Sequence, residues 1–95
     1  MLANMSSNDG EMRRLRGRID ATDEKLLDVL AERMEIVDQI GMLKQREKLD
    51  ARDEKRRSAV LESRASWGEN RGLLKDAVTK IFEMILDYSE ERERN

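Results

Sequence analysis

Apolar residues along much of this chain recur every three, four or seven positions, the spacing that places them on one face of an α-helix. From about Glu11 to Lys48 no proline interrupts the pattern. The apolar stripe of this segment consists of Leu15, Ile19, Leu26, Leu30, Val37 and Ile40. A continuous helix over these residues would be on the order of 55 Å long. We therefore predict one long helix with more apolar surface than so short a chain can cover by itself.

The second half of the chain predicts two shorter helices. Asp50 is the expected N-cap of the first of them, with Asp53 and Glu54 in a first turn where acids are favoured. Its apolar face is weak and consists of Val60, Leu61 and Trp67. The stretch from Gly68 to Gly72 indicates a loop after this helix.

A third helix is expected from about Leu73 to Glu93. Its apolar face consists of Leu74, Val78, Ile81, Phe82, Ile85 and Tyr88. The predicted fold class is therefore all-α, with one long helix and two shorter ones joined by short loops. We assign residues 1–10 to a flexible N-terminal arm and residues 11–95 to a single helical domain.

The composition supports this fold and suggests a second chain. The 95 residues suffice for one domain, proline is absent, aromatic residues make up 3% and charged residues 42%. This mixture is typical of long amphipathic helices. Because only 38% of the residues are hydrophobic, a lone chain would have a thin core. Stability is expected to depend on a partner chain.

The sequence also excludes several kinds of chemistry. It contains no His and no Cys, which removes thiol catalysis, His acid–base catalysis and the usual zinc sites. No apolar run approaches the roughly 20 residues of a membrane span. The net charge of −2, with both signs interspersed, does not indicate nucleic-acid binding. We expect a cytoplasmic protein with neither membrane nor nucleic-acid partners.

Four cationic side chains interrupt the apolar stripes. Arg33 and Lys44 lie on the stripe of the long helix, and Arg16 lies beside the start of that stripe. Arg56 lies on the apolar face of the second helix. Long cations often reach solvent at the rim of a helix interface or pair with acids across it. Four together are costly to bury without an anion, and this favours a bound anionic ligand.

The spacing of these cations predicts a shared site. Arg33 and Lys44 are separated by about 16 Å of helix rise on nearly one face, so they would grip opposite ends of a small anion. Arg16 lies about 25 Å from Arg33 along the same helix, too far to join that site. An antiparallel second copy would bring its own Arg16 alongside. We therefore predict a homodimer with two shared sites for a small polyanion such as a dicarboxylate.

The segment from Leu15 to Leu27 resembles the opening signature LRxxIDxxDxxLLxLLxxR of the all-α chorismate mutases. The segments 30–33 and 40–44 continue the resemblance, and Asp53, Arg56, residues 81–85 and Ser89 extend it to about residues 12–93. The resemblance implies an intertwined homodimer of three-helix chains. It also implies the rearrangement of chorismate to prephenate, for phenylalanine and tyrosine synthesis, without a cofactor.

The resemblance also assigns roles to residues. The substrate-binding set that it implies is Arg16, Arg33, Lys44, Asp53, Arg56, Arg57, Ser89 and Glu93. Arg33 and the partner's Arg16 would hold the two carboxylates, and Lys44 would reach the ether oxygen. Asp53 would contact the ring hydroxyl or order the second helix, and Ser89 would contact a carboxylate. Such a rearrangement needs no nucleophile, only a held conformer and stabilised charge.

Two positions depart from the family pattern. Arg57 stands where well-known members carry a Glu that accepts a hydrogen bond from the ring hydroxyl, which an Arg cannot do. It is expected to turn outward or to change substrate preference. Glu93, expected to be catalytic with Lys44 and Arg33, aligns with a Gln or Glu that donates to the ether oxygen. Because only the protonated acid can donate, we expect activity to rise as pH falls.

Two alternatives compete with the mutase. Isochorismate-pyruvate lyases share the fold, and the segment from Arg64 to Asn70 resembles theirs, whereas the spacing from Lys44 to Arg56 fits the mutases. The second alternative is a non-catalytic helical dimerisation or regulatory module, associated with another aromatic-pathway enzyme. Replacing Arg33 and Lys44 by Leu should stabilise such a module but abolish catalysis in an enzyme.

Overall fold

The computed structural model describes residues 7–95, and three α-helices lie in this range. Helix α1 spans Ser7–Arg46, α2 spans Glu54–Glu69 and α3 spans Lys75–Arg94. No strand occurs between residues 7 and 95. The predicted all-α class, with one long and two shorter helices, is confirmed. Helix α1 begins before the expected Glu11. Residues 1–6 of the predicted arm lie outside the described residues. The division into an arm and a helical domain therefore stays a prediction.

Helix α1 ends in a turn of defined geometry. Lys48 adopts a left-handed backbone conformation, with φ of 58°. The N–H of Leu49 donates to the carbonyl of Lys44 at 2.7 Å, and the N–H of Lys48 donates to the carbonyl of Gln45 at 3.2 Å. These two bonds form a Schellman motif, which satisfies carbonyls at the helix end and reverses the chain. The segment that follows is thereby directed back towards the last turn of α1.

Helix α2 ends with the same motif, built around Gly72 with φ of 79°. The N–H of Leu73 donates to the carbonyl of Gly68 at 2.9 Å, and the N–H of Gly72 donates to the carbonyl of Glu69 at 3.0 Å. The expected loop from Gly68 was therefore placed too early, because Gly68 and Glu69 are the last residues of α2. Helix α3 likewise begins two residues after the expected Leu73.

The chain divides into two compact units, one ending at Arg33 and the other comprising Met34–Asn95. The described residues of the first unit all belong to α1, and nearly all of their side chains are exposed. The second unit has a small core, in which the buried apolar residues are Met34, Val37, Val60 and Val78. Most of the apolar stripe of α1 therefore lies open within a single chain.

The predicted apolar face of α3 is only partly covered. Val78 is buried against the end of α2, whereas Leu74, Ile81 and Tyr88 are exposed. Trp67, assigned to the apolar face of α2, is also about half exposed. None of the three helices, over the residues described, is long and apolar enough to cross a membrane.

Candidate active site

The last turn of α1 holds the amino group of Lys44 in a fixed place. The Schellman turn returns the chain so that Nζ of Lys44 donates a hydrogen bond to the carbonyl of Ala51 at 2.8 Å. The Lys44 side chain is 21% exposed, so most of it is packed against the protein. A cation held in this way is already ordered before a ligand binds. Ligand binding therefore costs little further side-chain conformational entropy at this position.

Glu93, in the last turn of α3, faces the same amino group. Its Oε1 atom lies 2.7 Å from Nζ of Lys44, and its side chain is 9% exposed. This oxygen is buried, and its contact with Lys44 is a close ion pair.

A pocket of about 320 Å³ opens at this pair. Its lining consists of Lys44, Gln45, Leu49, Asp50, Ala51, Glu93 and Arg94. Two cations and two carboxylates therefore surround a space suited to a small polar molecule. Over the residues described, no group of three His, Cys, Asp or Glu side chains is arranged to hold a metal ion.

Asp53, not Asp50, is the N-cap of α2. Its extended backbone places Oδ1 where it accepts a hydrogen bond from the N–H of Arg56 at 3.0 Å. The prediction of Asp50 as the cap was wrong, because α2 begins at Glu54 and a cap must directly precede the first helical residue. Asp50 instead lines the pocket beside Lys44. The side chain of Arg56 is exposed.

Arg57 points into the protein and joins α2 to α3. One guanidinium nitrogen contacts Oε1 of Glu90 at 2.9 Å, and another contacts Oδ1 of Asp87 at 2.9 Å. The side chains of Arg57 and Glu90 are each 12% exposed. Burial by itself lowers the pKa of Arg57, but the hydrogen bonds with Glu90 and Asp87 outweigh it and raise that pKa. The expected outward orientation of Arg57 was therefore wrong, whereas the alternative, a changed substrate preference, stays a prediction.

Glu90 is the residue of this region that the sequence interpretation missed. It also lies 3.6 Å from the guanidinium of Arg52 through its second oxygen, Oε2. The pairing of Glu90 with Arg57 depends on the register between α2 and α3, and no spacing along either helix indicates it. The positive charge of Arg57 is thus balanced from α3, and contact between Arg57 and a substrate stays a prediction.

Ser89 is buried and donates its hydroxyl to the carbonyl of Ile85, one turn earlier on α3, at 2.7 Å. Such a bond is common for Ser within a helix. The hydroxyl hydrogen of Ser89 is thus used inside the helix. Contact between Ser89 and a substrate carboxylate stays a prediction.

The predicted site residues are divided between the two units. Arg16 and Arg33 lie in the first unit, whereas the other six lie in the second. Arg16 is exposed and lines a groove along α1 with Asp9, Met12, Arg13, Gly17 and Asp20. Arg33 is half-buried. Among the six residues of the second unit, the structure pairs Lys44 with Glu93 and links Asp53 to Arg56.

Comparison with known proteins identifies the family of this chain. A family model described as chorismate mutase type II matches residues 15–94, which is most of the chain. The chain belongs to the chorismate mutase type II family. The family predicted from the sequence is thereby confirmed. Both units carry part of the matched region, since it extends across the boundary after Arg33.

Members with related sequences are longer proteins. The T-protein of Enterobacter agglomerans is 31% identical over 86 residues, which are 88% of this chain and 23% of that protein. The bifunctional chorismate mutase/prephenate dehydratase of Escherichia coli K12 is 36% identical over 75 residues, 79% of this chain and 19% of that protein. This type II chain therefore spans about a fifth of the length of these curated relatives.

Proposed function

We propose that this chain is a chorismate mutase, which rearranges chorismate to prephenate on the route to phenylalanine and tyrosine and uses no cofactor. Membership of the type II family supports the proposal. A relative from Escherichia coli carries chorismate mutase in its printed name. The structural observation that carries the proposal is the amino group of Lys44, held by the carbonyl of Ala51 beside a pocket of about 320 Å³.

The chemistry of the reaction suits these residues. Within one molecule a C–O bond breaks as a C–C bond forms, so no nucleophile, oxidant or reductant is consumed. Negative charge develops on the ether oxygen as the C–O bond lengthens. The ammonium group of Lys44 stabilises that charge, and the walls of the pocket hold the folded conformer of the substrate. Arg33 and the partner's Arg16 bind the two carboxylates, and Arg56 supports binding.

Glu93 acts in this proposal as a hydrogen-bond donor to the ether oxygen. A carboxylate at this position repels the developing negative charge, whereas the protonated acid donates to it. The position of Glu93 in the lining of the pocket, next to the amino group of Lys44, supports a place for it in ligand contact. Activity should therefore rise as the pH is lowered.

The enzyme is proposed to be an intertwined homodimer with two shared active sites. Support comes from the exposed apolar side chains of α1 and α3, which a single chain leaves in water. Leu26, Leu27 and Ile19 of the first unit are each more than half exposed. A second copy laid along them would bury an apolar area that is large for so small a domain.

Complementation between two inactive variants tests both the mutase activity and the sharing of each active site between two chains. Arg16→Ala and Arg33→Ala are each expected to lose chorismate turnover. If each site takes Arg33 from one chain and Arg16 from its partner, a mixed dimer contains one intact site and one doubly damaged site. Equal amounts, unfolded and refolded together, should recover about a quarter of the wild-type activity. Sites within single chains would recover none, and that result would refute sharing.

The substrate assay also separates the two alternatives. Wild-type protein is incubated with chorismate and, separately, with isochorismate, and the products are identified. Prephenate from chorismate supports the mutase, whereas pyruvate and salicylate from isochorismate alone would assign a lyase. Turnover of neither substrate would favour the non-catalytic dimerisation module. Arg33→Leu with Lys44→Leu should then stabilise the dimer, instead of abolishing an activity.

We further propose that the enzyme works in the cytoplasm and associates with another enzyme of aromatic biosynthesis. Relatives named as bifunctional join a chorismate mutase to a prephenate dehydratase in one chain. That fusion supports a partner that consumes prephenate. The tagged full chain should co-purify with a prephenate-consuming enzyme. Raising the salt concentration moderately should dissociate the two proteins.

A further inference from the structure

The last turn of α3 is held against α1 by several contacts that the proposed function does not use. Helix ends fray, because their final carbonyls have no partners within the helix. Glu93 lies one residue before the end of α3, and the N–H of Asn95 reaches only the carbonyl of Arg92, at 3.3 Å. A side chain at this position needs an external hold if it is to keep a fixed place.

Arg92 contacts Asp38 at the edge of this interface, where the two side chains are 38% and 43% exposed. Its Nε donates to Oδ1 of Asp38 at 2.8 Å, and its NH2 group donates to Oδ2 at 3.0 Å. This is the bidentate arrangement, which fixes orientation as well as distance. A third nitrogen donates to the hydroxyl of Tyr88 at 3.2 Å. Hydrogen bonding with Asp38, and then with Tyr88, raises the pKa of Arg92.

Gly41 lets the backbone of α3 approach α1 closely. A Cβ atom on Gly41 would lie 3.1 Å from Cα of Glu93 and 3.3 Å from its carbonyl oxygen, closer than ordinary contacts. The amide of Gln45 donates to that same carbonyl at 3.4 Å. Asp38, Gly41 and Gln45 are spaced by three and four residues, so they lie on one face of α1. That face receives the end of α3.

Lys44 belongs to the same turn of α1, and its amino group contacts the side chain of Glu93 at 2.7 Å. The charged groups that line the pocket around Glu93 are Lys44, Asp50 and Arg94. Arg92 is the neighbour of Glu93 in the chain, but its guanidinium is taken up by Asp38. The ion pair of Arg92 with Asp38 therefore constrains the backbone next to Glu93 and leaves the carboxyl group of Glu93 to Lys44.

We propose that Asp38 and Arg92 are a positioning pair, which holds the last turn of α3 so that the carboxyl group of Glu93 stays at Lys44. Neither residue contacts the substrate. The proposal rests on the proposed function, since Glu93 has a catalytic role only if chorismate is rearranged here. It predicts an effect on turnover that exceeds the effect on binding, because misplacement of one donor chiefly weakens contacts made in the transition state.

Asp38→Asn is the test variant, because it keeps the shape of the side chain and removes its charge. The kcat for chorismate should fall roughly tenfold while KM changes less than about twofold. The rise of kcat towards low pH should flatten as well. The charge-exchanged variant, Asp38→Arg with Arg92→Asp, should recover much of the lost kcat. Glu69→Gln, which removes the exposed ion pair with Lys75, is the control and should leave kcat unchanged.

Hydrogen exchange provides a readout that does not depend on activity. Amides of residues 91–95 should exchange several-fold faster in Asp38→Asn, while those in the middle of α3 stay protected. Unchanged exchange, or an unchanged kcat and pH profile, would overturn the positioning role and leave the mutase proposal intact. Wild-type protein that does not rearrange chorismate would overturn both. An equal loss of kcat in Glu69→Gln would show that general destabilisation lowers kcat. That result would reject a specific positioning role for Asp38 and Arg92.

Discussion

Replacement of Gly68 by Ala is expected to destabilise the protein, although Ala is the better helix former. Gly68 is buried in the last turn of α2, where α3 crosses it. A Cβ atom at this position would lie 2.5 Å from Cγ2 of Val78 and 3.3 Å from its Cβ. Carbon atoms in good contact are about 3.5–4.0 Å apart, so the overlap is on the order of 1 Å. Val78 is buried and β-branched, and its side chain has little freedom to move aside.

The size of the effect follows from two opposing contributions. Overpacking a well-filled core costs about 1–3 kcal/mol. Ala in place of Gly within a helix stabilises by up to about 1 kcal/mol. The free energy of unfolding should therefore fall by up to about 2 kcal/mol, which lowers Tm by up to roughly 15 °C for a domain of this size.

Thermal unfolding followed by circular dichroism at one fixed protein concentration measures this change. Gly10→Ala is the matched control, since no atom lies within 4 Å of the added Cβ there, and it should leave Tm unchanged or slightly higher. The decisive comparison repeats Gly68→Ala in a Val78→Ala background, where the overlap is absent. An equal loss in both backgrounds would refute the contact with Val78 as the cause.

Three further predictions concern the elements around the site. Asp53→Ala should lower the free energy of unfolding by about 1 kcal/mol through loss of the α2 cap, measured by urea unfolding, whereas Asp50→Ala should not. Arg57→Gln should lower the free energy of unfolding by about 2–3 kcal/mol, because the buried carboxylate of Glu90 then keeps only the more distant Arg52, and adding Glu90→Gln should recover most of that loss; a double variant no more stable than the single one would contradict this. Glu93→Gln should raise mutase activity at neutral pH and flatten its pH profile, because Gln donates a hydrogen bond at every pH; a flat wild-type profile with no gain in the variant would contradict the role of Glu93.

Local pattern alone was enough to predict the three helices and the family. Helical periodicity repeats every 3.6 residues regardless of the rest of the fold, so the stripes that contain Leu26 and Ile85 are visible in the chain itself. The most specific part of the family signature also lies within one helix, in segments between Leu15 and Lys44. The ends of the helices were less accurate, because several acids near residue 50 are suitable caps and only the backbone conformation of Asp53 selects one.

The partners of the charged residues were decided by tertiary structure. The sequence places Lys44 at the end of α1 and Glu93 at the end of α3, but their contact at 2.7 Å depends on how closely Gly41 lets the helices approach. Arg57 is unusual for its family position when α2 is considered alone, and its place is explained by Glu90 on α3. Contacts between helices depend on their register and separation, which arise from packing many side chains together and have no counterpart in the spacing along one helix.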